Sequence, residues 1–99
     1  MAVYVIAQLS FTDRKSYDRY QGRFWDVFKN FDGRLLAADE NPKILEGKWD
    51  CNKLVMMSFP DEEASRKFLG SPEYQEIAVD RKKGAEAVVL LVQGISRNT

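Results

Sequence analysis

Apolar residues from Val3 to Phe11 ("VYVIAQLSF") run almost without interruption and are rich in β-branched and aromatic types, which predicts a first strand. The period then changes. After Thr12 and Asp13, either able to cap a helix start, Tyr17, Tyr20, Phe24, Val27 or Phe28, and Phe31 recur at three- and four-residue steps, the mark of one buried helix face. "DGR" at 32–34 stops that helix and opens a second strand, "RLLAA". "ENP" interrupts it, "KILEGKW" (43–49) predicts renewed extended structure, and "DCN" turns the chain into "KLVMMSF" (53–59). "PDEE" begins a short helix with acidic residues in its first turn, ending at Gly70. Ser71 caps the next helix, Pro72 takes its first position, and Lys82, Lys83 and Gly84 close it before a last strand, "AVVLLVQGI".

The order strand, helix, strand, strand, helix pair, strand is the βαββαβ pattern of a ferredoxin-like α+β fold, expected as one domain over 1–99. Helices in that topology cover one face of an antiparallel sheet, so strands with a wet second face should alternate apolar and polar. "VYVIA", "LVMM" and "AVVLLV" do not alternate, so both faces call for burial. A second copy of the chain, packed sheet to sheet about a two-fold axis, is the economical cover and predicts a homodimer.

Composition narrows the chemistry. The sequence has no histidine and one cysteine, Cys51, which removes Ser–His and Cys–His nucleophiles, histidine metal ligation and thiolate clusters. With no histidine, one cysteine and no Gly-rich phosphate loop of the usual spacing, no haem, zinc or flavin is expected as a required component. Fifteen basic residues balance fifteen acidic ones, so no net field favours nucleic acid or an anionic membrane. The N-terminal "MAVYVIAQLSFTD" lacks the basic start and cleavage site of a signal peptide, and a lone cysteine fits a reducing cytoplasm.

Two positions break the local pattern. Arg81 falls in helical phase with Tyr74, Ile77 and Ala78, so a cation shares the face that packs inward. It either pairs with an internal carboxylate, Glu46 being the first choice, or presents its planar fork to an acidic ligand. Glu46 lies in "ILEGKW", where Gly47 suggests a bulge. Exposed, it decorates an edge strand; buried, its pKa rises and it becomes a candidate general base. Tyr17 and Tyr20 read as core residues with hydroxyls at the rim. Cys51 lacks an electropositive partner in sequence, and Met56 and Met57 point to opposite faces of their strand.

The spaced set Asp13, Tyr17, Tyr20, "DGR", "LEGKW" (45–49), "FPDEEAS" (59–65), "SPEYQ" (71–75) and Arg81 resembles a family of small bacterial proteins of unknown function in the dimeric α+β barrel superfamily. The resemblance covers essentially the whole chain. It implies a ferredoxin-like protomer, a homodimer formed through the sheets, and a pocket between sheet and helices. Tyr20, Arg34, Glu46, Tyr74 and Arg81 match the family's pattern; with Trp49 they form the candidate site, Glu46 as catalytic base and the other five as ligand contacts. Superfamily members include monooxygenases, haem-degrading enzymes, isomerases and stress-response proteins, so the fold leaves the activity open. The readings are a binder or enzyme acting on a small, acidic organic molecule, and a non-catalytic dimer in which Arg81 and Glu46 form an internal salt bridge. An RNA-binding sheet is disfavoured because the aromatic RNA-recognition motif is absent.

Overall fold

In a computed structural model describing residues 1–95, the chain folds as β1 (Val3–Phe11), α1 (Arg14–Phe28), β2 (Arg34–Asp39), β3 (Lys53–Phe59), α2 (Glu62–Leu69), α3 (Pro72–Gly84) and β4 (Ala85–Gln93). Residues 96–99, part of the expected 1–99 domain, lie outside the described residues. The four strands form one antiparallel sheet in the order β2-β3-β1-β4, and the fold is α+β and ferredoxin-like.

Register separates the two faces. Val5 lies opposite Met57 on β3 and Leu91 on β4, and Leu9 opposite Lys53 and Ala87, so the odd-numbered residues of these strands share the face beneath the helices. There Val3, Val5, Leu9, Met57 and Phe59 are buried against Tyr17, Tyr20 and Phe28 of α1, Phe68 of α2, and Tyr74 and Ile77 of α3. Phe68 is the hub, its ring 5.1 Å from Phe28, 5.9 Å from Phe59 and 4.7 Å from Tyr74.

Local signals explain the boundaries. Asp61 accepts from the Ala64 N–H and Ser71 from the Tyr74 N–H, starting α2 and α3. Asp13 precedes α1 but does not cap its backbone; its carboxylate accepts from the Ser16 hydroxyl instead. The start of α1 is tied elsewhere: the Thr12 and Asp13 N–H groups both donate to the Gly84 carbonyl. A Cβ on Gly84 would collide with the Tyr17 backbone, so only glycine lets the end of α3 approach α1 this closely.

Two expectations need correction. The first helix ends at Phe28, and Phe31 reaches the core through a tightened turn in which its N–H donates to the Phe28 carbonyl. "KILEGKW" is not a strand but part of the loop joining β2 to β3, with Gly47 at φ +87°. Pro42 and this left-handed glycine break extended structure, and its apolar residues find no core: Leu45 is 90% exposed.

Candidate functional site

Between the helices and the sheet lies a cavity of about 370 Å³. Every strand contributes to its floor, α1 supplies most of its roof, and α2 and α3 close it through Leu69, Tyr74 and Arg81. The walls are mainly apolar, among them Val5, Val55, Met57 and Phe24, with a few polar groups converging inside.

Those groups come from residues whose periodicity matches the core. The Tyr20 and Tyr74 hydroxyls, from α1 and α3, lie 3.2 Å apart and share a hydrogen bond. Burial first, then the neighbouring Tyr74, drives the Tyr20 phenol well above its ordinary pKa of 10.0, so it stays protonated and can donate. Burial likewise pushes the Tyr17 phenol up to about 12.

Arg81 stands in the last turn of α3, where the helix dipole favours a cation. It lines the cavity, yet among the described residues it has no carboxylate within ion-pair distance. Its Nε is screened from water and has no hydrogen-bond acceptor. A buried donor without an acceptor costs about 1–3 kcal/mol, and more when charged, and Arg81 bears that cost at the cavity wall.

At another point on the wall, Lys53 of β3 is buried with Nζ 2.8 Å from Gln21 Oε1 and 4.9 Å from the centre of the Tyr17 ring. Burial pulls its ammonium pKa below the ordinary 10.5, opposed by the Glu40 carboxylate 4.0 Å away. Glu40 is already engaged: Arg14 donates to both of its oxygens, at 2.9 and 2.8 Å, and these bonds hold its carboxyl below the usual range.

Of the six residues singled out from sequence, the fold brings three together in the cavity: Tyr20, Tyr74 and Arg81. The other three lie elsewhere. Arg34 pairs with Ser58 and shares the uncovered face of the sheet, where it is exposed. Trp49 donates its indole N–H to Gln8 Oε1 at 2.9 Å, and Gln8 also belongs to that uncovered face. Glu46 is exposed on the β2–β3 loop and forms no ion pair with Arg81, so the internal salt bridge is absent. The expected pairing fails because, of the β2–β3 loop, Glu40 lines the cavity while Glu46 stays exposed outside it.

Lys53, Gln21 and Glu40 did not emerge from the sequence. Lys53 carried a usable signal: it precedes Val55, Met57 and Phe59 at two-residue steps, a cation in phase with the core, as Arg81 is on its helix. Gln21 and Glu40 carried none, because both reach the cavity from exposed positions.

Residues 2–95 match the family described as a domain of unknown function, DUF1330, and the chain belongs to that family. No curated protein matches it. Among solved structures it is similar to a protein of unknown function from Rhodopseudomonas palustris, with TM-score 0.79, 13% identity, and coverage of 97% of this chain and 84% of that one. It also resembles SnoaB, a cofactor-independent oxygenase from Streptomyces nogalater (TM-score 0.66, 14% identity, 98% and 96% covered). A third neighbour is a dimeric ferredoxin-like protein of unknown function from Thermobifida fusca (TM-score 0.66, 10% identity, 92% and 89% covered). At these identities the likenesses establish the fold.

Proposed function

We propose that this DUF1330 member is a cytoplasmic homodimer, each protomer of which binds a small acidic organic molecule between sheet and helices. The observation that carries this reading is the buried Arg81 Nε, a cationic donor with no acceptor, at the wall of a mainly apolar cavity. A carboxylate there satisfies the guanidinium in bidentate fashion, while the hydrogen-bonded Tyr20–Tyr74 hydroxyls keep one O–H free to donate to it. The hydrocarbon body of the ligand takes the apolar walls. Because burial holds the Tyr20 phenol protonated, it serves this site as a hydrogen-bond donor rather than a base.

The dimer reading is supported by the uncovered face of the sheet. Leu90, Ile6, Met56 and Ala37 form a continuous cross-strand row there, and Leu90 is 46% exposed. The likeness to a dimeric ferredoxin-like protein agrees with it. In such a dimer Arg34 and Trp49 belong to the face between protomers rather than to the cavity. Among the described residues no helix is long and apolar enough to cross a membrane.

Calorimetric titration of wild type and Arg81→Met with benzoate and hexanoate tests the binding. Wild type should bind at least one of them, and the variant should bind about tenfold more weakly or worse while melting at nearly the same temperature. Equal binding by both proteins, or none by wild type, overturns the reading.

A further inference from the structure

The charges of the cavity do not balance. Two cations from different elements line it, Lys53 from the start of β3 and Arg81 from the end of α3, against one carboxylate, Glu40. The carboxylate that pairs with Lys53, Glu40, is held at both oxygens by Arg14 and meets the ammonium only at 4.0 Å, a long ion pair. Lys53 has three N–H donors, and its one hydrogen bond among the described residues goes to the neutral amide oxygen of Gln21. Arg81 has no carboxylate at all within reach among the described residues. Two like charges sharing a low-dielectric space raise each other's cost, and a single anionic head at Arg81 answers only one of them.

The two cations also hold distinct places. The Lys53 ammonium rests 4.9 Å from the centre of the Tyr17 ring, and the same Tyr17 phenol lies within the field of Arg81. Tyr17 lines the cavity with both cations, and the surfaces that complete the space are apolar: Val5, Ala7, Val55 and Met57. Two cationic anchors from different elements over an apolar floor describe the complement of a molecule with two acidic ends.

We infer that the cavity is built for a dicarboxylic acid with an apolar spacer, one carboxylate on the Arg81 fork and the other on the Lys53 ammonium. This rests on the reading of the cavity as an acid-binding site and adds its substrate class. The Arg81 end, with its planar fork and the Tyr20–Tyr74 hydroxyls, fixes orientation. The Lys53 end, a point charge braced by Gln21, measures ligand length.

The test needs no mutation at first. Wild-type protein is titrated with straight-chain dicarboxylates from glutarate to suberate and with monocarboxylates of equal chain length. One diacid length should bind about tenfold or more tightly than its matched monoacid, with a clear optimum across the series. In Lys53→Met the ratio of diacid to monoacid affinity should collapse to near one, and Lys53→Arg should restore part of it. Monoacids that bind through Arg81 with no diacid preference overturn this inference alone. Failure of every acid to bind wild type overturns the acid-binding reading together with it. If Lys53→Met does not fold, the wild-type comparison and Lys53→Arg still decide.

Discussion

The two faces of the sheet come from the same four strands and are both largely apolar, yet they differ in every other respect. The face beneath the helices carries the aromatic cluster around Phe68 and a cavity with two cations and three buried phenols. The uncovered face carries neither; its central row is Leu90, Ile6, Met56 and Ala37, and the β2–β3 loop reaches it through the Trp49–Gln8 hydrogen bond. The difference separates two uses of apolar surface. Where apolar side chains interlock with helices they generate stability, and where packing stops short they leave a recess in which polar groups acquire chemical force. Where they meet no other part of the chain, they call for a partner.

The largest expected effect separates the faces by stability. Phe68 is wholly buried and touches rings from α1, β3 and α3. Phe68→Ala should destabilise by about 3–5 kcal/mol, measured by urea unfolding. A loss below about 1 kcal/mol would mean that the helix-covered face is not the principal core.

The next effect falls on the other face. Leu90→Asp puts a charge in the middle of the uncovered row without touching the helix-side core. The dimer dissociation constant should rise about a hundredfold, near 2.7 kcal/mol. Light scattering at micromolar concentration should then report 11.4 kDa for the variant and twice that for wild type. A wild-type protein already monomeric under those conditions would break the comparison.

The smallest effect is a pH dependence confined to the covered face. Burial raises the Tyr17 phenol to about 12, so between its ordinary 10.0 and that value the unfolded chain has released a proton that the folded chain keeps. Stability contributed by Tyr17 is therefore full below pH 10 and is lost as pH climbs toward 12. Buried Tyr20, whose phenol is also raised, adds a loss of the same sign. Denaturant midpoints taken from pH 9 upward should fall less steeply in Tyr17→Phe than in wild type. Parallel slopes in the two proteins would show that Tyr17 is solvated rather than part of the buried cavity wall.

Periodicity made the architecture legible before any coordinates. β1 and β3 run over the residues expected, Val3–Phe11 and Lys53–Phe59, because their apolar runs are bounded by clear turn residues. The cavity placement of three of the six candidate residues was legible for the same reason. Tyr20, Tyr74 and Arg81 lie on helices, where phase alone reveals which side chains point inward. Arg34 depended on which face β2 presents, which the irregular register between Leu35 and Ala37 helps to set. Glu46 and Trp49 depended on the path of a loop whose residues have no period to read.

The order of elements, the inward helix faces and the surplus of apolar strand surface are all properties of local spacing and can be read along the chain. Which charged groups meet depends instead on how the elements pack. Lys53 and Arg81 line one cavity although they come from different elements, and Glu46 and Arg81 do not pair although their chemistry is complementary. Attraction between charges falls too steeply with distance, and is screened too well by water, to pull a loop through a packed sheet. Backbone hydrogen bonding and core packing set the positions first, and the electrostatics of the cavity follow from where they leave each side chain.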